Sequence, residues 1–394
     1  MSSSIGRSGT TTRVVVVGAG YAGLIATNRF LGSLTAAERR EVQVTVVNPR
    51  DEFVERIRLH QLAARPTTAV TRALKDLLHP DARLLLGRVE LVDSARRVAH
   101  VSTDSGRVEV GWDHLIHAVG SVPSASIPGA GEHAFPLGDL DGARGAAEAL
   151  ENAGDAARVL VVGGGPTGVE TAAEIAENHP SAEVALMSAG PVLPAMRPRA
   201  RGSIVRRLRR LGVSIVEDST VVRVEAGKVE RDDGRMTAFD VCLVATSFEV
   251  PDLARASGLA VDAAGRLRVD SCLRSVTDPS VLGAGDAIAV PAPAGAHLRM
   301  ACAVALPMGG HAAEVLLADV RGKEPQPFSL ALSAQCLSLG RRAGYIQPAR
   351  RDDSPRSWHI GGWAGARIKE AVCRRVVEGP GQEKDKPGSY SWRR

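Results

Sequence analysis

The chain has 394 residues, 44% hydrophobic and 24% charged, enough for two or three domains with full cores. A net charge of +5 is small for that length, and with 3% aromatics the stacking platforms of single-strand nucleic-acid binders are excluded. Five cysteines, Cys242, Cys272, Cys302, Cys336 and Cys373, are odd in number, widely spaced and never C-x-x-C, which argues against a disulfide framework or zinc site and fits a reducing, cytoplasmic compartment.

Residues 1–12 are Ser/Thr/Gly-rich without an apolar core and read as a disordered tail, not a signal peptide. No run approaches the length that crosses a bilayer. Four valines at 14–17 read as a strand buried on both faces. Gly18, Gly20 and Gly23 follow in G-x-G-x-x-G spacing: a tight turn, a backbone approach for a pyrophosphate, and close packing of the next helix. The amides and dipole of that helix favour phosphate. Helical periodicity over 24–34 and a strand at 42–47 complete a βαβ unit. Where an acid normally meets an adenosine ribose, the chain has Asn48, then Pro49 and Arg50. Asn48 can bond a hydroxyl without offering charge.

Residues 51–65 predict a loop and short helix, 84–92 and 98–110 predict strands around a turn at 93–97, and 112–121 a short strand entering a Gly turn. A helix at 143–152 leads to a second unit, RVLVVGGGPTGVE at 158–170, with Gly163, Gly165 and Gly168. Two such turns suggest two dinucleotides. Helix at 170–177 and strand at 183–187 follow; Ser188 then makes no choice between NADH and NADPH. A helix is predicted at 201–211, strands at 213–216, 221–224 and 241–244, a return connection at 251–265, and a strand into a Gly turn at 281–287. Residues 301–320 carry an apolar helical pattern interrupted by Pro307 and by the glycines at 309 and 310. Strands of a smaller region at 330–346, a basic amphipathic helix at 363–377 and a tail disordered by composition from 378 end the chain. The arginine-rich stretches at 197–210 and 341–375 read first as solvated helix faces, with weak attraction to phosphate or an anionic membrane as the sharper alternative.

Four segments in order, GAGYAG (18–23), HAVGS (117–121), GGGPTGVE (163–170) and GAGDA (283–287), resemble the two-dinucleotide-binding-domain flavoprotein reductases, and within them type II NADH dehydrogenase-like proteins. The resemblance implies an α/β fold with two Rossmann-like domains of three-layer ββα type, the NAD(P)H domain inserted in the FAD domain, and a small C-terminal α+β region. The boundaries expected are 10–125 and 266–325 for the FAD domain, 126–265 for the insertion, 326–378 for the C-terminal region and 379–394 for the tail. It implies FAD at Gly18, Gly20, Tyr21, Ala22, Gly23, Asn48, Pro49, Arg58, Val89, Ala118, Gly120, Gly285, Asp286 and Leu306, with Asp286 on the ribityl chain. NADH or NADPH falls to Gly163, Gly165, Pro166, Thr167, Gly168 and Ser188. Glu170 would lie near the nicotinamide, and His60 or Lys369 could supply protons to an acceptor; structural alternatives for Glu170 and His60 are a helix-dipole partner and a satisfied core histidine.

The chain departs from the pattern at Ser247, where Gly is usual, and at 300–310, MACAVALPMGG, which lacks the glutamines of quinone-reducing members. The sulfide-oxidising relatives need cysteines beyond Cys302 and Cys336 that are missing here. Trp363, Ile368, Val372 and Val376 form one helix face, read as interfacial or as a lid on the protein. No metal-ligand spacing is present. The expected function is therefore an FAD-dependent enzyme that takes hydride from NAD(P)H and passes electrons to a small-molecule, quinone-like acceptor. Alternatives are a reductase of a ferredoxin-like partner, an oxidase or dehydrogenase of a small biosynthetic intermediate, and a non-catalytic nucleotide sensor. No nucleic-acid partner is expected; a homodimer and peripheral contact with the inner face of the plasma membrane stay open.

Overall fold

Four consecutive buried valines, Val14 to Val17, set the first sheet. In the computed structural model, which describes residues 11–124 and 126–394, they lie in the strand Thr12–Val17. Most of the expected N-terminal tail, residues 1–10, lies outside the described residues. Thr12–Val17 pairs in parallel with Val42–Asn48 on one side, Val14 opposite Val44, and with His114–His117 on the other. Ala82–Leu86 and Val281–Gly283 close the two edges, so residues 281–283 return to the sheet that residues 12–17 began. A second five-stranded parallel sheet has the matching order Phe135–Pro136, Val241–Val244, Arg158–Val162, Glu183–Met187, Ser214–Val216. In both sheets the central strand runs into a glycine-rich turn, the position where open parallel sheets bind ligands.

Five helices place the site: α1 (Tyr21–Ser33), α2 (Leu59–Ala64), α3 (Pro166–Asn178), α4 (Cys302–Val320) and α5 (Gly362–Gln382). The expected strand at 84–92 is two strands in different sheets, broken at Gly87, where a Cβ would stand 2.7 Å from the Ser102 carbonyl oxygen. The one expected at 98–110 is a hairpin, Val98–Thr103 and Gly106–Gly111. A second antiparallel three-stranded sheet, Val221–Glu225 with Lys228–Arg231 and Met236–Ala238, contains two strands that its polar sequence concealed.

Three further expectations need correction. Helix α4 runs unbroken through Pro307. Proline removes one main-chain bond, but α4 is clamped against α1: a Cβ on Gly309 would meet the Ala22 carbonyl oxygen at 2.2 Å. The expectation that no run reaches bilayer-crossing length fails at the same helix: at 19 residues and mean hydropathy 1.2, α4 is long and apolar enough, yet it lies mostly buried as a core helix. The C-terminal tail is packed, not disordered. Glu383 is fully buried and accepts from Arg29 Nε at 2.9 Å and Nη2 at 2.8 Å. Asn28 Nδ2 donates to the Pro380 carbonyl at 2.8 Å, and Trp392 Nε1 to that of Ser329 at 3.2 Å. A Gly/Pro/Lys composition cannot register one buried arginine more than 350 positions away.

Candidate functional site

Both glycine-rich turns have the same internal geometry. At Gly18, φ +100°, a Cβ would stand 2.5 Å from the Ala118 carbonyl oxygen, and at Gly163, φ +127°, 2.3 Å from that of Ala245. The third glycines, Gly23 and Gly168, each leave 1.8 Å between a Cβ and the carbonyl oxygen of the first. Only the middle glycines, Gly20 and Gly165, have nothing within 4 Å. They cap α1 and α3 without any side-chain bond to the first-turn amides. A pyrophosphate fits such a turn: close approach is possible at the middle residue, and the helix N-terminus supplies N–H donors. The residues present therefore fit two dinucleotides.

Between the turns lies a cavity of about 540 Å³. On one wall are Tyr21, Ser121 and Asp286. Ser121 Oγ donates to Asp286 Oδ2 at 2.7 Å, and Arg56 Nη1 donates to the Ser121 carbonyl at 2.8 Å. The Tyr21 hydroxyl accepts from the Ile57 amide at 3.4 Å, its ring is edge-on to Phe53, and burial raises its pKa well above the ordinary value. Cys302 opens α4 at the same wall; burial pushes its thiol up to about 11, so it is protonated and a weak nucleophile near neutrality.

The facing wall brings together the three residues singled out as catalytic. Glu170 of α3 and Lys369 of α5 form an ion pair at 2.9 Å, both almost fully buried. Glu170 Oε1 also accepts from the Ser338 amide at 2.8 Å, and Lys369 Nζ donates to the Cys336 carbonyl at 3.3 Å. Burial works to raise the Glu170 pKa, but the Lys369 charge and the Ser338 amide outweigh it and hold the carboxyl below its usual range. Burial likewise opposes the Lys369 ammonium, and Glu170 more than compensates, so its pKa is raised. The pair is charged at neutral pH. His60 of α2 is fully buried, its Nε2 has no partner, and burial lowers it to about 4. It is a neutral imidazole near pH 7.

The structure redistributes other expected site residues. Arg58 does not face the cavity: its guanidinium is held by Glu55 at 3.0 Å and Glu370 at 2.6 Å, tying the segment before α2 to α5. Arg56, two positions earlier and overlooked in the sequence, lines the cavity instead. Asn48 spends its amide on its own chain: Oδ1 accepts from Ala19 N at 2.9 Å and Nδ2 donates to the Arg50 carbonyl at 2.7 Å, so it braces the first turn. Pro49 follows it, exposed. Ser188 is buried under the second turn, its Oγ 2.1 Å from where a Gly164 Cβ would stand. Val89 lies in the core on the strand Arg88–Asp93, and Leu306 is fully buried in α4. Ala118 donates its amide to the Val17 carbonyl at 2.9 Å, while Gly120 and Gly285 precede Ser121 and Asp286 in their loops. Pro166 is the first residue of α3, and Thr167 lines the cavity beside Glu170. The segment at residues 390–393, dismissed as tail, also lines it. Arg341, with Glu174 at 2.9 Å, anchors the hairpin of Ala334–Ser338 and Gly344–Pro348 on α3. Among the described residues no cluster of three or more His, Cys, Asp or Glu could hold a metal ion.

The family model for pyridine nucleotide-disulphide oxidoreductases matches residues 12–309. An NADH dehydrogenase-like protein of Mycobacterium tuberculosis is 30% identical over 325 residues, covering 76% of this chain and 79% of that protein. A type II NADH:quinone oxidoreductase of the same organism is 29% identical over 321 residues, covering 71% and 67%. Among solved structures, that of NDH2 from Plasmodium falciparum in complex with NADH has a TM-score of 0.77 at 14% identity, covering 96% of this chain and 99% of that one; it is similar in fold.

Proposed function

The chain belongs to the pyridine nucleotide-disulphide oxidoreductase family, and from that premise we propose that it oxidises NAD(P)H through FAD and delivers the electrons to a quinone-like small molecule. The enzyme class and both cofactors follow from the family; the acceptor and the residue roles are our reading. FAD is assigned to the turn at Gly18–Gly20–Gly23 and to Asp286, and the nicotinamide dinucleotide to Gly163–Gly165–Gly168 and Thr167. The observation that carries this is the cavity shared by the two turns: Tyr21 and Thr167, each between the second and third glycines of its turn, line one space. The domain division at 126–265 rests on the matched sheet orders, with the packed tail now joined to the C-terminal region.

FAD, when bound, would supply the hydride-accepting, two-electron chemistry, so the protein need supply only position, electrostatics and exclusion of water. Asp286, oriented by Ser121, would offer an acceptor oxygen to a ribityl hydroxyl. Arg56 holds the loop bearing Ser121 in place and puts positive charge on that wall. Glu170 and Lys369 keep the facing wall rigid, and the Lys369 ammonium stands where it can stabilise developing negative charge on an acceptor oxygen. His60, neutral, can accept a proton or a hydrogen bond, but it is not stocked with a proton to give at neutral pH. We place the protein in the cytoplasm with at most peripheral membrane contact. Trp358 and Trp363 are exposed on the C-terminal region, with Arg367 stacked 5.3 Å from the Trp363 ring, which supports a surface contact and not a span.

Steady-state kinetics test the proposal. Varying NADH at several menadione concentrations should give the parallel reciprocal plots of a two-stage cycle. Purified protein that takes up no flavin, or that reduces no quinone with either nicotinamide, would refute it.

A further inference from the structure

The wall of the cavity built by residues 330–334, α5 and residues 390–393 is apolar in its lining, with Leu330, Leu332, Val372 and Val376, yet cationic in its charges. Four basic side chains belong to this side: Arg299, Lys369, Arg375 and Arg393. Two are neutralised within the protein. Arg299 is paired with Asp353 at 2.7 Å, and Lys369 with Glu170 at 2.9 Å. Arg375 and Arg393 have no carboxylate within 4 Å among the described residues. Only Glu170 and Asp286 bring negative charge to the lining, and both are engaged, by Lys369 and by Ser121. The Arg375 guanidinium and the Arg393 main chain are held in place. Arg375 lies 5.8 Å from the Tyr390 ring centroid, and the Arg393 carbonyl accepts from the Ala331 amide at 2.8 Å, which pins the tail to the wall.

We propose that the acceptor is a quinonoid ring bearing an anionic substituent, a carboxylate or sulfonate, bound by Arg375 and Arg393 with its ring against the apolar lining. This rests on the functional reading above and names its substrate class. The guanidinium fork matches two oxygens of a planar carboxylate, or two of the three oxygens of a tetrahedral sulfonate, with paired, charge-assisted hydrogen bonds. A neutral ring would leave both exposed guanidiniums to water and gain nothing from them, whereas an anionic substituent adds their attraction to the apolar contact. The electron balance is that of any quinone: NAD(P)H yields two electrons and one proton, solvent yields the second proton, and two carbonyl oxygens become hydroxyls. The anionic substituent takes no part in the bond changes and sets orientation and capture rate. Because the arginines are exposed at the mouth, the capture is salt-sensitive.

The test uses the full-length, FAD-loaded protein and two probes, a naphthoquinone sulfonate and the uncharged parent naphthoquinone. Calorimetric titration of the oxidised protein, which needs no NADH, should show the sulfonate binding roughly tenfold tighter at low salt, with the advantage lost at high salt. R375Q and R393Q should each cut the sulfonate-to-parent affinity ratio by about fivefold, and the same ratio in kcat/KM should follow. A ratio near one in the native protein, or one that ignores both substitutions, overturns the proposal. So does a result in which the arginine variants lose binding to anionic phospholipid vesicles while quinone preference is unmoved, since the pair would then serve a membrane. If NADH fails to reduce the flavin, the functional reading falls while the titration still reports the charge preference.

Discussion

Replacing Glu383 with alanine should unfasten the C-terminal segment. Its carboxylate is completely buried and accepts from Arg29 Nε and Nη2, from the Gly388 amide at 2.7 Å and from the Tyr390 amide. Arg29 is itself nearly buried, and it would keep one carboxylate, Glu314 at 3.0 Å and over a third exposed, beside the Tyr390 carbonyl of the same tail. Removing one partner of a buried, hydrogen-bonded ion pair costs about 3–5 kcal/mol because the other charge stays desolvated. Glu314 offsets part of that, so E383A should lose about 3 kcal/mol. The loss is read as a lowered urea midpoint, together with new protease cleavage after residue 383 seen by mass spectrometry. An unfolding free energy within about 0.5 kcal/mol of the native value, with cleavage unchanged, would refute the packed tail and return it to the disorder its composition suggests.

Other outcomes are equally specific. His60 and His117 are both buried and lowered to about 4; unfolded, each titrates near 6.5. Their neutrality therefore stabilises the fold fully above about pH 6.5 and is lost as pH falls toward about 4, worth roughly 3 kcal/mol each. H117L should remove about half of that acid dependence in urea midpoints, and an unchanged slope would show the ring is not buried neutral. G20V should fold yet lose flavin on gel filtration, whereas G23V, with 1.8 Å to the Gly18 carbonyl, should fail to fold; equal behaviour of the two contradicts the cradle geometry. K369M should slow reoxidation by a quinone by about tenfold or more while flavin reduction by NADH changes far less; equal slowing of both steps would place Lys369 elsewhere.

The parts of this molecule legible in sequence were those whose physics is local. Valine runs marked both central strands, and each glycine spacing carried the reason for its own conservation of space: two positions without room for a Cβ and one open. Glu170, His60 and Lys369, each named separately from the resemblance, line one cavity, a meeting that no spacing in the string announces. What the sequence hid is long-range pairing. Arg56 and Arg58 are indistinguishable in a string; Glu55 nearby and Glu370 on a distant helix together hold Arg58, and Arg56 is left to line the cavity. Asn48 looked like a ribose ligand because its competing partner, the Ala19 amide, is a backbone group with no signature. The helix through Pro307 and the packed tail were misread for the same reason: both are held by contacts with α1 that no window of sequence contains.

Anaerobic stopped-flow mixing tests the central claim most directly. One equivalent of NADH or NADPH should bleach the visible band of the bound flavin, and a quinone added second should restore it, with G165V slowing the first step alone. Bleaching that G165V leaves untouched, or a reduced flavin that no quinone reoxidises, would contradict the passage of electrons between the two nucleotide cradles and the cavity they share.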